Sequence, residues 1–144
     1  MEKRDLSKVN KIVLHCSGTR IDQDFGAEAC RNFHVNDRKW SDIGYHYYIE
    51  KDGTLVPGRN IQFVGAHCRG NNTNSIGICL EGGYNENGKP WRMCLPAQLQ
   101  TLKKLIEVLY VTVPGAALEP HYKYNDKKTC PNFSISDLLR YLDM

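Results

Sequence analysis

Two histidines and one cysteine are the residues of this sequence best suited to metal chemistry. His121 and Cys130 lie nine positions apart near the carboxyl end, and His15 lies much earlier. Two imidazoles and one thiolate form a three-ligand zinc set, which leaves the fourth tetrahedral position open for water, as in catalytic sites. A structural site would need a fourth ligand, and no second Cys or His lies close to His121 or Cys130. Since the chain has five His and six Cys, this pair alone is also compatible with two unrelated residues.

His15 lies at the end of a short apolar segment. Residues 11–16 are bounded by polar residues and predict a central strand. Ligands collect at strand ends in open sheets with helices on their faces, so His15 is well placed for chemistry. Because side chains alternate along a strand, we expect Cys16 to face away from His15 and not to be a second ligand.

The next segment, residues 25–38, has the apolar spacing of an amphipathic helix, with Ala29, Cys30 and Phe33 on one side. His34 lies at the edge of that apolar face. A histidine there is more often packed or hydrogen-bonded than a ligand, and we interpret His34 in that way.

Residues 43–56 predict a β-hairpin, because aromatic and β-branched residues flank an Asp-Gly pair that favours a tight turn. On the first strand we expect Tyr45 and Tyr47 to share one face, with His46 and Tyr48 on the other. A buried tyrosine usually packs and hydrogen-bonds, so a catalytic role for any of these requires a neighbouring site.

A polar loop leads into a predicted strand at residues 76–80. Its amide and hydroxyl side chains are typical of turns, but so many donors and acceptors beside one histidine would also suit a polar, amide-rich or sugar-like ligand. His67, Asn72 and Asn74 are therefore candidate substrate-binding residues, and composition does not decide between the two interpretations.

Two helices complete the pattern. Residues 96–110 carry leucines at helical spacing after Pro96, and residues 134–142 begin with a Ser and an Asp at capping-box-like spacing. The order of elements predicts an α/β fold, a single domain over residues 1–144 with a central mixed β-sheet, about three flanking helices and the zinc site in a surface cleft.

Composition and charge limit the classes of partner and the compartment that we expect for this chain. A formal net charge of +3 with mixed signs does not amount to a nucleic-acid footprint, so we expect no nucleic-acid partner. No apolar run approaches the roughly 18 residues of a membrane span, so we expect no membrane insertion. The first residues lack the apolar core of a secretory leader, which predicts a chain that is cytoplasmic on synthesis. In that compartment the remaining cysteines are expected to be reduced, small buried residues: Cys16, Cys30, Cys68, Cys79 and Cys94.

Several motifs occur together in one order and at familiar separations: His15 on the first strand, Asp-Ile-Gly-Tyr-His-Tyr-Tyr-Ile from Asp42, Gly65-Ala-His, Asn74-Ser-Ile-Gly-Ile, Pro96-Ala-Gln, and His121 through Lys128 to Cys130-Pro131. In this combination the chain resembles the zinc-dependent N-acetylmuramoyl-L-alanine amidases, the family of the bacteriophage amidase-type lysozymes and the animal peptidoglycan recognition proteins. The resemblance covers about residues 11–142.

The resemblance implies hydrolysis of the amide bond between N-acetylmuramic acid and L-alanine in peptidoglycan, with Zn²⁺ as the cofactor. It implies the following roles: His15, His121 and Cys130 as zinc ligands, Tyr45 and Lys128 as catalytic side chains, and His67 beside the substrate groove. The segment between His121 and Cys130 is one residue longer than is usual in the family, so Lys128 is placed by its distance from Cys130. No Glu matches a general base, and Tyr45, His67 or solvent remain alternatives for that role.

The resemblance is strongest to the short phage endolysins, which implies a phage or prophage enzyme, expected to be a monomer, that reaches the cell wall after lysis or by separate export. A module that binds wall fragments without cutting them is the alternative. Non-catalytic members of the family generally lack the cysteine ligand, so Cys130 disfavours it. Some phage lysozymes also inhibit their phage RNA polymerase, a role that nothing in this sequence tests.

Overall fold

The structure is a computed structural model that describes residues 1–144. It has the predicted α/β architecture. Its strands are β1 (Lys11–Cys16), β2 (Thr19–Arg20), β3 (Tyr47–Ile49), β4 (Leu55–Pro57), β5 (Ser75–Leu80), β6 (Gly83–Tyr84) and β7 (Ala117–Pro120). Its helices are α1 (Ala27–Asn32), α2 (Pro96–Thr112) and α3 (Ile135–Leu142).

Five strands form one mixed sheet in the order β4-β3-β5-β1-β7. Strand β1 is parallel to both β5 and β7, and only β4 is antiparallel to its neighbour, β3. The carboxyl ends of β1, β5 and β7 therefore lie along one edge. A small parallel ladder of β2 and β6 is a second sheet that the sequence did not predict.

The larger core lies between the sheet and helices α2 and α3. Alternate residues of β1 and β5, including Ile12, Leu14 and Ile78, pack with Leu102 and Ile106 of α2. Both helices were predicted. Pro96 occupies the first turn of α2, and the hydroxyl of Ser134 caps α3 by accepting a hydrogen bond from the Asp137 amide at 3.0 Å.

The opposite face of the sheet is covered by α1, whose Ala27 and Cys30 pack against Tyr48 and Cys79. The predicted helix over residues 25–38 begins later, at Ala27, and continues as a wider π-helical turn over Phe33–Asp37. His34 in that turn is buried, and its Nδ1 accepts a hydrogen bond from the Gly44 amide at 2.9 Å. Its interpretation as a packed residue is confirmed.

The expected alternation of the tyrosines is wrong. Tyr45 packs with Tyr48 in the small core under α1, whereas Tyr47 packs on the other side of the sheet. The regular strand begins only at Tyr47, and the Tyr45 carbonyl pairs outside the ladder with the Arg59 amide at 3.0 Å. The irregular backbone before β3 therefore turns Tyr45 to the same face as Tyr48.

The six cysteines are free thiols, of which five are buried and Cys130 is half-buried. The burial agrees with the expectation that the five cysteines other than Cys130 are small buried residues. Among the helices, none combines the length and the apolar composition needed to cross a membrane.

Candidate metal centre

Three ligand atoms from distant parts of the chain converge at the carboxyl edge of the sheet. His15 Nδ1 lies 3.1 Å from His121 Nδ1, and His121 Nδ1 lies 3.1 Å from Cys130 Sγ. All three atoms lie within 4.8 Å of one another. In tetrahedral zinc, bond lengths of about 2.0–2.3 Å separate neighbouring nitrogen and sulfur ligands by about 3.4–3.6 Å. The donor set fits zinc, and each of the two 3.1 Å contacts would have to lengthen by about 0.3–0.5 Å on metal binding.

The sheet brings the two histidines together. Strands β1 and β7 run parallel, and their pairing ends with Leu14 opposite Pro120. His15 is the next residue of β1, and His121 directly follows the end of β7. Cys130 returns to them because the Tyr122 amide donates to the Cys130 carbonyl at 3.2 Å, which closes the intervening loop at its base. A loop closed in this way accommodates one extra residue without displacing its ends.

Hydrogen bonds from the Cys16 thiol, and from His121 and His15, lower the pKa of Cys130 far below its ordinary value. Burial lowers the pKa of His15. Both shifts favour the protonation states that bind a metal, a thiolate and a neutral imidazole. Cys16 packs in the larger core, on the other face of β1 from His15, as predicted. Its thiol nevertheless reaches Cys130 beyond the end of β1, which the sequence did not indicate.

Tyr45 and Lys128 both line the cleft that contains the three ligands. The centroid of the Tyr45 ring lies 5.1 Å from that of His15. Burial raises the pKa of the Tyr45 phenol well above its ordinary value, so the hydroxyl keeps its proton. Lys128 is exposed, and its amide donates to the Asn125 carbonyl at 3.0 Å within the loop that leads to Cys130.

Of the polar loop residues, His67 and Asn72 line the cleft and Asn74 does not. The Asn72 Oδ1 accepts hydrogen bonds from the amides of His67 and Cys68 at 2.9 and 2.8 Å, and its Nδ2 has no partner within the chain. With its amide oriented to suit its neighbours, Asn74 donates to the Asn71 carbonyl at 3.0 Å and accepts from Lys11 Nζ at 3.2 Å. Asn74 is thus engaged in the loop itself.

The cleft has a volume of about 760 Å³ and is cationic. Arg38, Arg69, Lys127 and Lys128 line it, and no Asp or Glu does. The Arg38 guanidinium lies over the Phe33 and Trp40 rings, at 5.2 and 5.5 Å from their centroids. The sequence did not identify Phe33, Arg38 and Trp40 as cleft residues. They lie in or just after a π-helical turn, which no short motif marks.

Comparisons with known proteins identify the family. Residues 5–133 match the family described as N-acetylmuramoyl-L-alanine amidase. The endolysin of Escherichia phage T7 is 40% identical over 124 residues, which cover 86% of this chain and 81% of the relative. The endolysin of Klebsiella phage KP32 is 38% identical over 128 residues, 89% of this chain and 83% of the relative.

Solved structures give the same result. The N-acetylmuramoyl-L-alanine amidase LysC from Clostridium intestinale superposes with a TM-score of 0.79 at 31% identity, covering 96% of this chain and 88% of its own. Drosophila PGRP-LB superposes with a TM-score of 0.76 at 25% identity, covering 90% of this chain and 78% of its own. A second structure of PGRP-LB, of a mutant, is a complex with tracheal cytotoxin.

Proposed function

The chain belongs to the N-acetylmuramoyl-L-alanine amidase family, and from its site we propose that it cleaves the bond between N-acetylmuramic acid and L-alanine with Zn²⁺ held by His15, His121 and Cys130. It is an enzyme of the phage endolysin type. The observation that carries the metal proposal is the convergence of His15 Nδ1, His121 Nδ1 and Cys130 Sγ within 4.8 Å in the cleft.

When bound, zinc supplies a Lewis acid for the scissile carbonyl and acidifies water to a pKa of about 7. His15, His121 and Cys130 would hold the ion at the wall of the cleft. His15 and His121 are buried, with 1% and 8% of their surfaces exposed, so the packing around them holds both imidazole rings in place.

Tyr45 and Lys128 stabilise the charge that develops during attack. Hydrolysis of an amide passes through a tetrahedral anion, and hydrogen-bond donors fixed around its oxygen lower the barrier. The Tyr45 hydroxyl keeps its proton and acts as a neutral donor, which argues against this tyrosine as the general base. Lys128 adds an ammonium on the exposed side of the cleft.

The cationic cleft suits a substrate that carries carboxylates. A peptidoglycan stem peptide is such a substrate, and four cationic side chains without a single carboxylate favour its approach. The unpartnered Nδ2 of Asn72 supplies a donor for a peptide or sugar carbonyl. An endolysin-type enzyme meets this substrate after lysis or by separate export.

Digestion of purified peptidoglycan tests this function. We expect new amino-terminal L-alanine in step with the loss of wall turbidity, and no new reducing sugar ends. Addition of a zinc chelator should stop the release, and zinc should restore it. New reducing ends, or failure to cut both whole wall and soluble muropeptides, would contradict the amidase assignment and favour another bond or a binding module.

A further inference from the structure

His67 lies directly behind one of the metal ligands. Its Nδ1 is 2.8 Å from His15 Nε2, whereas His15 Nδ1 faces His121. The His15 and His67 rings meet edge to face, with centroids 4.9 Å apart. His67 therefore contacts the nitrogen of His15 that points away from the other two ligands.

The hydrogen bonds beyond His67 fix the direction of this contact. Ser75 Oγ lies 2.6 Å from the carbonyl oxygen of Asn71, which can only accept, so the hydroxyl donates there. The same Oγ lies 3.3 Å from His67 Nε2 and accepts its proton. A neutral His67 ring then has a bare Nδ1, which accepts from His15 Nε2. His15 is left with the lone pair of Nδ1 on the metal side.

A narrow slot holds the His67 ring in this orientation. A Cβ at Gly77 would lie 2.5 to 2.7 Å from three atoms of the ring, and one at Gly65 would lie 2.7 Å from its Cδ2. Arg4 ties down the surrounding loop by donating to the carbonyl oxygens of Asn72 and Ser75, at 3.0 and 2.5 Å. The slot exists only because both positions are glycine.

We propose that His67 is a positioning residue of the metal centre, which sets the ring orientation and tautomer of His15 through a hydrogen bond anchored on Ser75. This inference rests on the zinc ligation proposed above. Loss of such a partner of a metal-bound histidine typically costs about 10–100-fold in metal affinity. Both ring nitrogens of His67 are engaged in the chain, so neither is free to hydrogen-bond a substrate.

Zinc dissociation constants, measured by competition with a chromophoric chelator, test the proposal on the full chain. We expect His67→Ala to weaken zinc binding by about 10–100-fold. His67→Asn should stay within about threefold of the native value, because its Oδ1 takes the place of Nδ1 and accepts from His15. Ser75→Ala should weaken binding less than His67→Ala, since it removes only the anchor.

His46→Asn is the matched control. The His46 ring is buried 5.7 Å from that of His67, but its nitrogens bond the Gly77 amide and the Phe63 carbonyl, not His15. We expect this variant to lose stability and to keep the native zinc affinity.

Three outcomes would overturn the proposal. His67→Ala could bind zinc as tightly as the native chain and show only a raised KM, which would make His67 a substrate contact. Equal losses of zinc affinity in His46→Asn and His67→Ala would attribute the effect to packing. If His67→Asn bound zinc as weakly as His67→Ala, the hydrogen bond to His15 would not be what supports zinc binding. A native chain that binds no zinc would instead refute the zinc proposal itself.

Discussion

The Nδ1 atoms of His15 and His121 lie 3.1 Å apart although 106 positions separate the two residues in the chain. The parallel pairing of β1 with β7 produces this contact, since each histidine directly follows the last pair of that ladder. The proximity of the two proposed histidine ligands is therefore a consequence of sheet topology. Changes to their surroundings have effects that can be separated into zinc binding, catalysis and folding.

Tyr45→Phe should lower kcat by about 10²–10³ because it removes one donor to the developing oxyanion. The ring and its packing beside His15 remain, so zinc content and thermal stability should match the native chain. Steady-state kinetics on soluble muropeptides, with zinc analysis of the same samples, measure both. A native kcat would remove Tyr45 from the mechanism.

Lys128→Met should also reduce kcat by about 10²–10³, since a neutral side chain of similar length cannot stabilise the anion. Lys127→Met is the matched control, because Lys127 is an exposed neighbour that lines the same cleft. We expect the control to change KM alone. Equal kcat losses in the two variants would show that general cleft charge matters and the position of Lys128 does not.

Gly77→Ala should destabilise the protein by about 1–3 kcal/mol, because the new Cβ would lie 2.5 Å from the His67 ring. Chemical denaturation of Gly77→Ala, His67→Ala and the double variant measures the coupling. In the His67→Ala background the ring is gone, so Gly77→Ala should cost much less. Strictly additive effects would mean that the glycine is required for another reason.

Acid should destabilise the fold through His46. Burial, together with the nearby charges of Arg4 and Arg59, lowers the pKa of His46 from 6.5 to about 4. Between those values the unfolded state binds a proton that the folded state does not, so the free energy of unfolding falls as pH falls. Denaturation midpoints from pH 7 to pH 4, taken with excess chelator, should drop less steeply in His46→Asn. Parallel slopes would show that other groups control the acid transition.

The strand that carries His15 and the long helix α2 that packs on the sheet could be predicted from the sequence because each depends on local pattern. Residues 11–16 are a continuous apolar run, and α2 has leucines at helical spacing after a proline. The face of Tyr45 could not be predicted, because the regular ladder of β3 begins only at Tyr47 and alternation does not apply before it.

The surroundings of the ligands depend on contacts between distant residues, which no local pattern encodes. The slot for His67 requires glycines at 65 and 77, and its anchor is Ser75 at the start of β5. Asn72 lines the cleft, whereas Asn74 lies outside it, and the side-chain amide of Asn74 pairs with Asn71 and Lys11. Polar composition alone could not distinguish these two positions.

Zinc content and stem-peptide release, measured together on the native chain and on Cys130→Ser, test the central claim most directly. Cys94→Ala is the control, because it removes a buried thiol outside the cleft. We predict about one zinc per chain and active release for the native chain and the control, and loss of both in Cys130→Ser. A folded native chain without zinc, or a Cys130→Ser variant that keeps both zinc and activity, would contradict the proposed metal centre.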